Sequence, residues 1–230
     1  MSARPIAVVT GASRGIGRAI AKRLAERYEV LALARTREAL ESLKEEIEKG
    51  GGACRVVEVD LADTAAVERA LAKVDADVLV NNAALITIKP FLEIQPLEWK
   101  EMIDVNLGAL YTVTRALLPG MIARKRGFIV MIGSLASRNT FAGGTGYTAT
   151  KHGVIGFAES LMLEVREHNV RVATIMPGSV DTRERPGVTD TSWMLTPAQV
   201  ADAVWFTITQ PENALISRVE MRPAIAKSRR

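Results

Sequence analysis

Tyr147-Thr148-Ala149-Thr150-Lys151 sets a phenol and a primary amine four residues apart. On an α-helix that spacing brings the two side chains to one face, with Cβ atoms about 5–6 Å apart. Proton transfer is the chemistry this pair could serve. A phenol with an ordinary pKa near 10 relays protons poorly at neutral pH, and a fixed cation beside it favours the phenolate. Lowering that value by about three units corresponds to roughly 4 kcal/mol, which calls for a second positive charge besides Lys151. Ser134, 13 residues before Tyr147, follows an apolar run. Its hydroxyl can donate to a carbonyl oxygen or simply cap a turn. Asn106 falls inside a long helical stretch, where Asn competes for backbone hydrogen bonds. A polar task there, such as holding a water chain to Lys151, would account for it.

A second cluster suits an anion. Thr10-Gly11-Ala12-Ser13-Arg14-Gly15-Ile16-Gly17 follows an apolar run and reads Gly-x-x-x-Gly-x-Gly. Without Cβ atoms the turn can close and a pyrophosphate can approach the backbone, while the free amides and dipole of the following helix favour negative charge. The glycines could be structural only, but after the first strand of an alternating α/β chain they point to a dinucleotide, held by Gly11, Ser13, Arg14, Gly15, Ile16 and Gly17. About 20 residues further on, an NAD-selective site places a carboxylate on the ribose. Here the segment is Ala34-Arg35-Thr36-Arg37. With no acid present, and with Arg35 and Arg14 both able to face an added phosphate, NADP(H) is the expected cofactor. The alternative is that both arginines are solvated surface. Asp60 can accept from the adenine amino group or cap a helix, a task that suits Asp63 better. Asn82 and Ala83 follow the fourth strand, where small side chains leave room for the ribose and Asn82 can tie neighbouring loops together.

Strands and helices must alternate to position these groups. Apolar runs predict strands at Ile6–Val9, Val30–Ala34, Val56–Val59, Val78–Val80, Phe128–Ile132 and Val170–Ile175, with a last strand at Leu215–Met221. Helices are expected over Gly15–Arg27, from the Thr36 cap through Ile47, Asp63–Val74, Pro96 to about Ile122, Tyr147 to about Glu167, and from Pro197. This order implies a single-domain α/β fold of the doubly wound, Rossmann-like kind: a mostly parallel seven-stranded sheet with helices on both faces. Ligands bind beyond the carboxyl ends of such strands. The domain is expected to span residues 1–223, with 224–230 as a basic tail.

With 48% hydrophobic and 24% charged residues in 230, the chain is an ordinary globular protein. A net charge of +4 is too small, and its basic residues too scattered, to point to nucleic acid. Arg124-Lys125-Arg126 reads as cations at a helix C-terminus. No apolar run is long enough for a membrane span. The single cysteine, Cys54, and the lack of a signal-peptide h-region suggest the cytoplasm. His152 and His168 read as helix surface.

Together, Thr10-Gly11 to Gly17, Asp60, Asn81-Asn82-Ala83, Asn106, Ser134, Tyr147, Lys151 and Pro177-Gly178 with Val180 and Thr182 resemble the short-chain dehydrogenase/reductase family over nearly the whole chain. The resemblance implies a tetrad. Tyr147 would be general acid or base, Lys151 would lower its pKa and bind the nicotinamide ribose, Ser134 would polarise the carbonyl, and Asn106 would anchor a relay water. It also places Tyr147, Lys151 and the segment of Pro177, Gly178, Val180 and Thr182 against the cofactor. The implied activity is hydride transfer between NADP(H) and a carbonyl or alcohol substrate by a homodimer or homotetramer. Gly153-Val154-Ile155-Gly156 would admit a partner helix or pack within the subunit. A 3-oxoacyl-thioester reductase and a silent dinucleotide sensor are the competing readings. Two departures from the family stand out: the chain lacks the Asp-Gly-Gly turn near its end, and the segment between Thr182 and Pro197 is short.

Overall fold

Four of the expected strands are apolar without alternation, and burial on both faces is the only arrangement that hides all of their side chains. The computed structural model, which describes residues 4–182 and 190–225, places them in one parallel sheet. Its strands are β1 (Ile6–Thr10), β2 (Glu29–Ala34), β3 (Ala53–Glu58), β4 (Val78–Asn81), β5 (Gly127–Ile132), β6 (Val170–Pro177) and β7 (Arg218–Met221), in the order β3-β2-β1-β4-β5-β6-β7. All six pairings are parallel. The order reverses between β1 and β4, opening a crevice at their carboxyl ends where such sheets bind ligands.

The helices are α1 (Gly15–Leu24), α2 (Arg37–Lys49), α3 (Thr64–Leu71), α4 (Pro96–Ile103), α5 (Ala109–Ala123), α6 (Thr145–Val165) and α7 (Pro197–Ile208). Ile20, Leu24, Leu40, Leu43, Val200 and Val204 cover one face of the sheet, from α1, α2 and α7. Val67, Leu71, Val113, Leu117, Val154 and Leu161 cover the other, from α3, α5 and α6.

Several boundaries differ from the sequence expectation, each for a local reason. Helix α1 stops at Leu24 rather than Arg27 because the Leu24 carbonyl accepts the amides of both Arg27 and Tyr28. Strand β3 begins at Ala53, ahead of its apolar run, because pairing with β2 starts at Glu29 opposite Ala53. Helix α3 runs only from Thr64 to Leu71; the Asp63 carboxylate caps it by accepting from the Ala66 amide. Helix α6 starts two residues early, at Thr145, and ends at Val165 before a 3-10 turn. Strand β7 is confined to the four residues that pair with Thr174–Pro177. The stretch from Pro96 is not one regular helix. A π turn at Asp104–Gly108 separates α4 from α5. Arg124 and Arg126 do more than meet a helix dipole: Arg124 pairs with Asp75 and donates to the Ala76 carbonyl, and Arg126 pairs with Asp77. The expected basic tail falls largely outside the described residues, since 226–230 are among those not described.

Candidate active site

The glycine turn leaves β1 and enters α1 with almost no free volume. Gly11 has φ +64, and Gly15 φ +54, conformations that side chains with a Cβ rarely adopt. A Cβ on Gly17 would sit 2.2 Å from the Gly11 oxygen and 2.5 Å from Asn82 Nδ2. Thr10 and Asn82 sew the turn to β4. Thr10 Oγ1 accepts from the amides of Asn82 and Ala83, and Asn82 Nδ2 donates to the Thr10 and Gly11 oxygens. Thr10 is only 2% exposed, and sequence reasoning assigned it no task; a hydroxyl ending an apolar strand was the available signal.

The N-terminus of α1 is suited to an anion. Its N-cap, Arg14, makes no side-chain cap, and no acidic residue stands in the first turn, so the first amides keep their dipole uncompensated. Ser13 and Arg14 precede it and Ile16 packs toward the core. Arg35 is exposed immediately past the carboxyl end of β2, on the same rim. Asp60, also exposed, spends Oδ1 on the amide of Ala62, and its carbonyl accepts from Asp63, so it is built into the turn before α3.

Ser134 follows β5 by two residues. Its Oγ accepts from the Ala136 amide at 3.1 Å, capping a 3-10 turn at Leu135–Ser137, while its own amide donates to Ser137 Oγ. Capping engages the oxygen as acceptor and fixes its direction; a hydroxyl so held still has a proton to donate.

Tyr147 and Lys151 lie in the first two turns of α6. Lys151 is 4% exposed, with Nζ 5.8 Å from the centre of the Tyr147 ring. Nζ donates to the Ile132 carbonyl at the end of β5, at 2.8 Å. Burial pushes the ammonium down from 10.5 to about 8. At neutral pH it stays largely protonated, which a cation that favours a phenolate requires.

Asn106 sits in the π turn, 2% exposed. Its Oδ1 accepts from the Leu85 amide at 2.7 Å, and Nδ2 donates to the Leu85 carbonyl and to Thr150 Oγ1. The side chain therefore holds the loop after β4 against α6 rather than contacting Lys151. Both residues line a cavity of about 10 Å³, together with Thr10, Asn81 and Ile132. That is close to the about 10–15 Å³ that admits one water, and the walls are polar enough to bind it.

The segment after β6 closes the site from the other side. The Gly178 amide donates to the Met221 carbonyl, and a Cβ on Gly178 would lie 3.0 Å from Leu135 Cδ1 and 3.1 Å from Pro223 Cδ. Val180 bridges to Leu195, and the Thr182 amide donates to the Val180 carbonyl. The end of β7 and the residues after it, Met221–Pro223, thus pack behind the turn that carries Ser134. In the short segment before α7, Trp193 Nε1 donates to the Asp190 carbonyl, and Met194 is 9% exposed, so its side chain is largely packed inward. The intervening residues 183–189 lie outside the described part.

Residues 5–192 match the family model for short chain dehydrogenases. The chain is 38% identical over 237 aligned positions to the NADP-dependent 3-hydroxy acid dehydrogenase YdfG of Salmonella typhi, covering 95% of this chain and 94% of that protein. It is 33% identical to the 3-oxoacyl-[acyl-carrier-protein] reductase FabG of Vibrio harveyi, covering 92% of each. Among solved structures, a metagenomic short-chain oxidoreductase in complex with NADP superposes with a TM-score of 0.86 at 38% identity, covering 97% of this chain and 99% of the other.

Proposed function

The chain belongs to the short-chain dehydrogenase/reductase family and is an NADP-dependent oxidoreductase, and from that premise we propose Tyr147 as its general acid and base and a carbonyl compound or secondary alcohol as its substrate. The observation that carries this assignment is the buried Lys151 ammonium, 5.8 Å from the Tyr147 ring and anchored on the strand that leads to Ser134.

The coenzyme, when bound, supplies or accepts the hydride. The uncapped amides of α1 and the glycine turn suit its pyrophosphate, and Arg35 with Arg14 suits the 2′-phosphate that distinguishes NADP from NAD. Asp60, Asn82 and Ala83 line the adenosine side of the crevice in this assignment; Pro177, Gly178, Val180 and Thr182 line the nicotinamide side. Ser134 donates its free proton to the substrate oxygen and holds it near the phenol. Tyr147 gives that oxygen a proton in reduction and takes it back in oxidation. Lys151 lowers the cost of the phenolate and can reach the nicotinamide ribose. Asn106 holds the wall of the small cavity through which a water can re-supply the proton.

The assignment includes a homo-oligomer and a cytoplasmic setting. A groove of about 560 Å³ between α5 and α6, lined by Tyr111, Leu118, Ile122, Phe157 and Leu161, supports the first. Gly156 of α6 faces open space, whereas Gly153 packs on Leu107 of its own chain. Sedimentation of wild type against Tyr111→Arg would test it: a monomeric wild type sinks the oligomer. The buried free Cys54, whose thiol burial pushes up to about 11, is compatible with a reducing interior. Among the described residues no helix is long and apolar enough to cross a membrane.

Two substrate classes compete, 3-hydroxy acids and 3-oxoacyl thioesters, each favoured by one relative. A panel of 3-hydroxy acids, simple ketones, aldehydes and 3-oxoacyl thioesters, followed by NADPH absorbance, decides between them. Tight NADPH binding with no turnover on any class would overturn the assignment of Tyr147.

A further inference from the structure

Thr150 lies in the turn of α6 between Tyr147 and Lys151, next to Asn106, which holds the loop after β4. It is wholly buried, with 0% exposure. Its Oγ1 accepts from Asn106 Nδ2 at 3.0 Å and donates to the Tyr147 carbonyl oxygen at 2.8 Å. A hydroxyl offers one proton, and this one is spent on Tyr147; a lone pair of its oxygen takes the proton of Asn106. Asn106 in turn has both amide protons committed, one to Thr150 and one to Leu85, and its oxygen to the Leu85 amide.

We propose that Thr150 is a positioning residue for the reaction, its hydroxyl fastening the Tyr147 turn of α6 to Asn106 and through it to the loop after β4. The proposal rests on the roles assigned above to Tyr147 and Lys151.

Packing alone does not explain a threonine here, because valine has the same shape and no buried polar atom to satisfy. The neighbouring Thr148 makes the contrast. Its hydroxyl is buried on the same turn without a hydrogen-bond partner among the described residues, so burial in this helix does not by itself supply one. The Thr150 bond to a carbonyl three residues back acts on the turn between the phenol and the ammonium, where such back-bonding bends a helix and so sets the direction of that turn. Removing the oxygen leaves an Asn106 N–H buried and unpaired, and a buried donor without a partner is costly enough to make the amide turn away. The phenol, the ammonium and the Leu85 loop then lose their common reference.

Thr150→Ser and Thr150→Ala test this, since both lack the methyl group and differ by the one oxygen. The expected result is a kcat about tenfold or more lower in the alanine variant, the scale set by small misplacements of reacting groups, and within about threefold of wild type in the serine variant. Affinity for NADPH, read by fluorescence, should be alike in both. Hydrogen exchange at the Leu85 amide, measured on the protein without coenzyme, should quicken in the alanine variant and not in the serine variant. Equal kcat in the two variants would overturn the proposal. So would unchanged exchange at Leu85, or a loss of kcat matched by an equal loss of NADPH affinity, which would signal general loosening. Tyr147→Phe, run in parallel, separates the levels: full activity there removes the assigned mechanism, whereas an inactive Tyr147→Phe with equal serine and alanine rates removes only the role of Thr150.

Discussion

The Lys151 ammonium donates to the carbonyl oxygen of Ile132 at 2.8 Å, joining the second turn of α6 to the last residue of β5. Ser134 lies two residues beyond Ile132, and Tyr147 one turn before Lys151. A single hydrogen bond therefore sets the phenol, the ammonium and the serine hydroxyl in one frame. The ammonium holds that place despite an environment that disfavours its charge.

The first prediction follows from that cost. Because burial lowers Lys151 to about 8, the unfolded chain binds more protons than the folded one between roughly pH 8 and 10.5, so the ligand-free protein gains stability as pH rises through that window. Below it the full penalty applies, about 3 kcal/mol. Lys151→Met removes the charge and also the ammonium's bond to Ile132, worth about 2 kcal/mol. Urea denaturation of the ligand-free protein should find the variant more stable at pH 7 by about 1 kcal/mol, with the advantage shrinking by pH 10, and inactive throughout. A variant less stable than wild type at pH 7 would contradict this.

Tyr147→Phe should lower kcat by about 10²–10⁴-fold, the range for loss of a positioned acid or base, with NADPH affinity kept within a few-fold. Steady-state rates with titration of bound NADPH check both parts. Comparable rates in mutant and wild type would move the proton transfer to another group.

Arg35→Ala should weaken NADPH by about 10–100-fold, as expected for a lost charge-assisted bond, and leave NADH nearly unchanged. Dissociation constants for the two coenzymes measure the difference. If both change alike, the preference belongs to Arg14 or to neither arginine.

Gly17→Ala forces a methyl group to 2.2 Å from the Gly11 carbonyl oxygen and 2.5 Å from Asn82 Nδ2. The backbone of the turn must move, at a cost of about 1–3 kcal/mol, and coenzyme affinity should fall with it. Calorimetry on the variant would register both; unaltered melting and binding would show that the turn has slack.

Much of the fold was legible because its signals are local. The apolar runs of β1, β2, β4 and β5 need burial on both faces, and the glycine turn, the Tyr147 and Lys151 spacing and the position of Ser134 can each be read in a single short segment. What escaped depends on partners distant in the chain. Thr10 meets Asn82 across 72 residues, and Asn106 meets Thr150 across 44. Arg124 looked like a dipole partner until Asp75 and Ala76 came beside it. The start of β3 at Ala53 is set by its neighbour strand and by no property of its own residues. Asn106 gave a partial hint, being a poor helix former in a helical stretch, yet the π turn around it leaves no other trace in composition.

That wide turn bears on how the chain can change over time. It accommodates five residues, Asp104–Gly108, in a winding looser than the helices on either side. Each residue of an α-helix advances the direction of the next by about 100°. A deletion of one codon here that restored ordinary winding would swing Val113 and Leu117 off the sheet or Asn106 off Leu85, and an insertion would do the same in the opposite sense. The number of residues in this stretch is thus a stricter heritable requirement than the identity of most of them, so, Asn106 and the sheet-facing residues apart, this enzyme should accept substitutions between Gln95 and Leu117 far more readily than any change of length.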